Sequence, residues 1–342
     1  MVGVGTQIPG SVRSVTLNRV IDAYASQSHY HDHLWPIWEA LPDKGRFIVH
    51  RSLEVSRPHD LIGAYPPPDK TPIIVAGTPD LMKAARRPTV FVEHGAGQTY
   101  TTQHPGYAGG PGRGRVGLFL CPNETVAAKN RASYPQASSV VVGSPRVEWL
   151  QRRRADAAVT SREPGNRPVV AFSFHFDCAF WPEARWAFPY YRDPFTALIP
   201  QLKERYEVLG HGHPRAWPQL EKFWTRVGAE PVREFTEICE RADLYICDNS
   251  STLFEAAAIG IPVILLNAPT YRKDIEIGLR FWEHADIGPQ IDNPEHLADT
   301  IDDTLLEMDR YERARSRMVS AVYSVVDGSA RRAAGHITDF VS

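Results

Sequence analysis

Cysteine and methionine are scarce in this 342-residue chain, four of each. Cys121, Cys178, Cys239 and Cys247 stand far apart without a Cys-x-x-Cys pair, which excludes a zinc ribbon and fits a reducing cytoplasm. No run approaches the ~18 apolar residues that a membrane span needs, so an integral membrane protein is excluded. The start, MVGVGTQIPGSVRSV, lacks the basic and apolar regions of a signal peptide, and secretion is not expected. A charge excess of one sign is also missing. Thirty-eight Lys and Arg against 40 Asp and Glu leave −2, which argues against a general nucleic-acid or membrane coat. One basic run, QRRRADAAVTSR (151–162), can meet an anionic surface, although such runs are more often solvated linkers. Internal repeats, low-complexity tracts and an Asp-x-Asp metal motif are not found.

What is present is ordinary globular composition, 43% hydrophobic and 23% charged, in a length suited to two domains. Nearly continuous apolar runs at about 20–26 and at 46–50, 71–77, 88–95, 116–123 and 138–145 read as strands of a parallel sheet covered on both faces. After the polar stretch SREPGNRP (161–168) the pattern restarts at 169–176, 206–212, 229–235, 243–249 and 261–267. Residues 194–206 and 293–318 carry apolar side chains at three- and four-residue spacing, as amphipathic helices do. The expected class is therefore α/β, with two doubly wound domains, 1–150 and 151–325, facing across a cleft. Residues 326–342 form a closing helix. Ligands of such sheets sit at the carboxyl ends of the strands, so the candidate chemistry lies in the loops there.

The first of these loops holds His29, His31 and His33 on alternate positions before a helix. In an extended segment they project to one side and can chelate a metal; a loop that lines the cleft and contacts an acceptor is the favoured reading, and no metal site is assigned. A later strand ends in Glu93-His94-Gly95. An imidazole there, with an ordinary pKa of ~6.5 and a glycine that lets substrate approach, suits a general base. Arg113 and Arg115, in the glycine-rich stretch 106–115, meet a phosphate or solvent. Gly143-Ser144-Pro145-Arg146 turns the last strand of the first domain into a helix, with Arg146 a candidate for the cleft. In the second domain His175 and Asp177 follow the first strand among aromatics, and LGHGHPR (209–215), with His211, His213 and Arg215 at the end of a strand, offers several donors to an anion or simply packs. DLYICDNSSTLFEAAA places Asp248, Asn249, Ser250, Ser251 and Thr252 where a strand passes into a helix. Free N–H groups and the helix dipole attract phosphate at such a junction, and one capping side chain would suffice without a ligand. Glu255 can bond a ligand hydroxyl such as a ribose, or close a capping box.

This ordered set resembles the CDP-glycerol glycerophosphotransferases of teichoic acid synthesis. The residues concerned are His94-Gly95, Gly143-Ser144-Pro145-Arg146, His213-Pro214-Arg215, Asp248-Asn249-Ser250-Ser251 and Asp327-Gly328-Ser329-Ala330-Arg331-Arg332. The resemblance implies the GT-B architecture, two Rossmann-like domains shared with nucleotide-sugar glycosyltransferases and UDP-N-acetylglucosamine 2-epimerases. It also implies roles: His94 deprotonates the acceptor hydroxyl, His213 steadies the donor phosphates, Ser250 and Ser251 hold the diphosphate, and Arg331 or Arg332 reaches the same charge. The chain departs from the family at Glu93 and Gly95-Ala96, beside the histidine, and at Phe174-His175-Phe176-Asp177 in place of a Pro-Thr-aromatic-Arg motif. The expected function is a metal-independent, cofactor-free transferase taking a sugar, or in second place a glycerophosphoryl group, from a nucleotide-diphosphate donor to a hydroxyl. The acceptor is open among a surface glycan, a protein and a modified base, and the oligomeric state is open too. The expected place is the cytoplasm, with peripheral membrane contact left open. Alternatives are an epimerase or hydrolase of the same fold, and a catalytically silent binding or scaffold protein.

Overall fold

The computed structural model describes residues 20–51, 60–63, 65–67, 69–84, 87–94, 112–161, 166–177, 185–271 and 280–342. In the first half, strands β1 (Ile21–Ala25), β2 (Lys44–His50), β3 (Asp60–Gly63), β4 (Ile73–Val75), β5 (Thr89–Val92), β6 (Val116–Cys121) and β7 (Ser138–Val141) form one sheet. Its order is β3-β2-β1-β4-β5-β6-β7, with every described pair parallel. Helices α1 (Ser28–Ala40), α2 (Thr78–Lys83) and α3 (Glu124–Ser133) are its crossovers. Valine, isoleucine and phenylalanine dominate these strands because both faces are covered: Ala23, Val49 and Ile74 pack on one side, Ile48, Val75 and Phe119 on the other.

Helix α4 (Pro145–Ser161) leads to the second sheet, β8 (Val169–Phe174), β9 (Glu207–Gly212), β10 (Glu230–Pro231), β11 (Leu244–Cys247), β12 (Val263–Leu266) and β13 (Gln290–Ile291). Its order is β10-β9-β8-β11-β12-β13, again parallel. Around it lie α5 (Phe188–Leu202), α6 (Trp217–Val227), α7 (Phe235–Arg241), α8 (Thr252–Ala258), α9 (Leu297–Leu306) and α10 (Glu312–Val322). Two doubly wound domains are thus present.

Three local expectations change. The amphipathic stretch 293–318 is broken, α9 ending at Leu306 and α10 starting at Glu312, with Tyr311 rather than a side-chain cap before it. The run 151–161 is no linker but the body of α4; Arg154 donates to the Cys239 and Ala242 carbonyls and Arg153 pairs with Glu240. Val147, Trp149 and Leu150 already lie in the second domain's core, so the packing passes from one domain to the other before residue 150.

The chain then returns. Helix α11 (Ser329–Val341) buries Ala333, Ala334, Ile337 and Val341 against the first sheet, closing the two domains into one body. Its start is held by Glu148 of α4, which accepts from Ser329 Oγ (2.8 Å) and the Ala330 N–H (2.9 Å). Gly143, at φ +84, makes the return possible: a Cβ there would sit 1.7 Å from the Val325 carbonyl oxygen.

Candidate functional site

The carboxyl ends of both sheets face one cleft, with a cavity of about 360 Å³. From the first domain it is lined by His29 and His33 of α1, by Glu93 and His94 after β5, by Arg113, and by Arg146 at the start of α4. The second domain contributes His175 after β8, His211 and His213 at the end of β9, Arg215, and Ser250, Ser251, Thr252 and Glu255 around the start of α8.

Helical pitch decides which histidines of the first loop take part. Residues four apart share a helix face, and the loop is helical from Ser28 onward. His29 and His33 therefore both line the cleft, whereas His31 points away, stacked on Trp35 with Nε2 3.1 Å from Asp60 Oδ1. Expecting three alternate histidines on one side required an extended segment, which this is not.

The result is a continuous row of imidazoles crossing the domain boundary. Ring centroids lie 5.4 Å apart from His33 to His94, 6.2 Å from His94 to His29, 5.7 Å from His29 to His213 and 5.3 Å from His213 to His175. Burial disfavours their charged forms. The His94 pKa is pushed down to about 4 by burial and then Arg113 and Arg146, while the Ala76 carbonyl pulls the other way. His211 falls to about 3, chiefly through burial and then Arg146. His29 and His33 are held well below the usual imidazole range, and His213 is lowered too, by burial first in each case. At neutral pH His94 is thus unprotonated and able to accept a proton. The Arg215 backbone N–H donates to His213 Nδ1 (3.1 Å), so neutral His213 carries its proton on Nε2, as a donor to an anion must.

Arg146 and Glu255 bridge the domains at the cleft floor, 3.2 Å apart and both buried. His33 Nε2 stands 4.0 Å from the other Glu255 oxygen, and Arg146 also donates to the His29 carbonyl. Asp32 of α1 accepts from Thr236 Oγ1 of α7 at 3.1 Å, a second tie between the domains. Gly77 admits the Tyr30 ring, which a Cβ there would approach to 2.3 Å; that ring lies edge-on to His94 at 5.2 Å.

Several expected site residues support the cleft without lining it. Asp248 is fully buried and accepts from the His175 and Ala187 N–H groups, at 2.8 and 2.9 Å, tying two loops together; burial raises its pKa to about 7 against those donors. Asn249 is buried beside Tyr271, whose hydroxyl donates to it at 3.4 Å. Asp177 forms a two-pronged pair with Arg185 at 2.8 Å. Arg331 is exposed on α11, behind the first sheet, and does not reach the cleft, because that helix turns Ala330, Ala333 and Ala334 inward instead. Gly95 lies outside the described residues, as do the first residues of the glycine-rich stretch. Arg113 of that stretch is bonded to Glu93 at 2.8 Å, and Asn130 donates to the same carboxylate oxygen.

The hydroxyl cluster is less simple than a helix cap. Helix α8 spans seven residues, and Ser251 at its start makes no side-chain cap bond. Thr252 Oγ1 donates to Ser250 Oγ (2.8 Å) and lies 2.8 Å from the Tyr245 hydroxyl, so these groups hold one another in place on the cleft wall. Sequence reasoning left Asp32 and Ser173 unassigned, whereas His29, in the loop expected at the cleft, and His211, read with His213, do line it. His211 Nδ1, near the end of β9, lies 2.8 Å from Ser173 Oγ of β8. Among the described residues, no group of three or more histidine, cysteine, aspartate or glutamate side chains is arranged to hold a metal ion. No described helix is long and apolar enough to cross a membrane.

Comparison with known proteins agrees with the two-domain fold. Residues 187–339 match the family described as CDP-Glycerol:Poly(glycerophosphate) glycerophosphotransferase. No curated protein matches the chain. Among solved structures it is similar to the wall teichoic acid polymerase TagF, at 14% identity and TM-score 0.64, over 96% of this chain and 89% of that one. A putative UDP-N-acetylglucosamine 2-epimerase from Listeria monocytogenes shares 14% identity at TM-score 0.61, over 94% of this chain and 96% of that one. The UDP-GlcNAc 2-epimerase from Neisseria meningitidis shares 12% at TM-score 0.55, over 94% and 100%. By fold over nearly its whole length, and by sequence over residues 187–339, the chain is a GT-B protein similar to the glycerophosphotransferases, a transferase family, and the resemblance carried by its motifs is borne out.

Proposed function

We propose that the protein transfers a glycerophosphoryl group from a nucleotide-diphosphate donor of the CDP-glycerol type to an acceptor hydroxyl, without a metal ion. The observation that carries this reading is the shared cleft, where neutral His94 of one domain faces His213, Arg215 and the Ser250–Thr252 hydroxyls of the other. The family match covers the donor half, which favours glycerophosphoryl over the sugar expected first. In the reaction the acceptor oxygen bonds to the glycerol-bearing phosphorus while the bond from that phosphorus to the bridging oxygen breaks, and the nucleoside monophosphate departs. His94 takes the acceptor proton, a contribution of typically ~10²–10⁴-fold for a positioned base. His213 Nε2–H and the Arg215 guanidinium stabilise charge on the phosphates, donors fixed in place before reaction.

Incubation with CDP-glycerol and a hydroxyl acceptor such as glycerol is expected to release CMP, and His94→Ala to abolish that release while CDP still binds. A second reading, epimerisation of a UDP-sugar, is favoured by the fold shared with the two epimerases. Conversion of UDP-N-acetylglucosamine with no acceptor present, together with inert CDP-glycerol, would establish it in place of the first. Inertness toward both donors would leave a binding or scaffold role.

A further inference from the structure

His94 is half-buried with its Nδ1 shut off from solvent, and a base that has accepted a proton must hand it on before the next turnover. Among the described residues two imidazoles adjoin it. His33 leads to the buried Arg146–Glu255 pair on the cleft floor. His29 lies between His94 and His213, 6.2 and 5.7 Å from their ring centroids. Its Nδ1 is buried and meets no hydrogen-bond partner among the described residues, although a buried nitrogen of this kind is ordinarily satisfied. The helix fixes the ring's place: Tyr30 packs against it at 4.1 Å, and Arg146 holds the His29 backbone carbonyl.

We infer that His29 carries the acceptor's proton from His94 to the departing nucleotide phosphate. The inference rests on the transferase reading above. The proton leaves the acceptor oxygen for His94 as the new phosphorus–oxygen bond forms. It then passes to His29, directly or through one water, and ends on the phosphate oxygen freed by the breaking bond; no oxidant or further reactant is needed. His213 is not the carrier. Its Nδ1 already accepts from the Arg215 N–H, so it has one free ring position and serves as a fixed donor to the phosphate. Burial, His94, Arg146 and Arg215 disfavour a cation on His29, with Asp32 opposing them, so His29 rests neutral and a proton arriving there is surrendered to an anionic phosphate.

The test compares wild type with His29→Gln and His29→Ala, using CDP-glycerol as donor, glycerol as acceptor and CMP release as the readout. Glutamine keeps the size and hydrogen bonding of the ring but does not carry a proton. Both variants should lose about 10²-fold or more in kcat, with KM for CDP-glycerol and Kd for CDP unchanged, and added imidazole should restore His29→Ala. Two outcomes overturn the inference: kcat retained in His29→Gln, or a loss that falls on KM and Kd while kcat stands, which would make His29 a phosphate ligand. If wild type binds CDP yet transfers nothing from CDP-glycerol, the transferase reading itself fails and the relay with it.

Discussion

Two alanine substitutions in the same neighbourhood should move stability in opposite directions. Gly143 adopts φ +84, and a Cβ would lie 1.7 Å from the Val325 carbonyl oxygen, a backbone atom with no rotamer to escape through. The left-handed conformation alone costs a non-glycine residue roughly 1–2 kcal/mol. Relief of the clash also displaces residues 325–329, and with them the Glu148 bonds to Ser329 and Ala330 that begin α11. A lost cap adds about 1 kcal/mol, so Gly143→Ala should destabilise by roughly 2–3 kcal/mol in all. At roughly 2–4 °C per kcal/mol the midpoint of thermal unfolding falls by about 5–10 °C. Gly335 sits within α11 with nothing within 4 Å of its Cβ position. Gly335→Ala should stabilise by about 0.5–1 kcal/mol through helix propensity alone. Urea and thermal unfolding of the two variants, side by side, measure both signs. Because Gly143 begins the turn that seats Arg146, Gly143→Ala should also weaken CDP binding, whereas Gly335→Ala leaves it intact. Stability of Gly143→Ala within about 0.5 kcal/mol of wild type, the ordinary range of neutral surface changes, would refute the argument that α11 returns through a position only glycine fits.

Other consequences are equally direct. Arg146→Met leaves Glu255 buried without its partner and should cost about 3–5 kcal/mol, whereas a well-packed double replacement of Arg146 and Glu255 should recover most of that loss in denaturant titrations. As His94 must be neutral to accept a proton, kcat/KM measured against pH should be lost only as pH falls through about 4, and stay flat through neutrality. Acid stability follows from the same burial. His94 and His211 have folded-state pKa values of about 4 and 3, below the ordinary ~6.5, so each leaves stability intact above about pH 6.5 and lowers it as pH falls from there. At pH 5 each should cost about 2 kcal/mol, with His29, His33 and His213 acting in the same direction and Asp248, raised to about 7, in the opposite one. Unfolding free energies at pH 7.5 and 5 check the net sign, and an unchanged value in Asp248→Asn, which removes the opposing group, would contradict it.

Much of this protein is legible in its sequence for a simple reason. Strands buried on both faces must be apolar almost throughout, so runs such as TPIIVAG and DLYICDN announce both their class and their parallel pairing, and the polar residues after them mark the cleft. His94, His213 and the Ser250–Thr252 hydroxyls were found on that basis. Direction is harder. Whether three alternate histidines share a face depends on whether the segment is extended or helical, and only the helix beginning at Ser28 separates His29 and His33 from His31. Distance along the chain hides the rest. Arg146 meets Glu255 across 108 intervening positions, Asp248 turns out to hold two loops together, and Arg331 faces outward because α11 turns its alanines to the first sheet. Local composition therefore determined the two sheets and the ends at which chemistry gathers. Tertiary structure alone decided which imidazoles stand in one row, because ring neighbours drawn from two domains are set by packing and not by spacing.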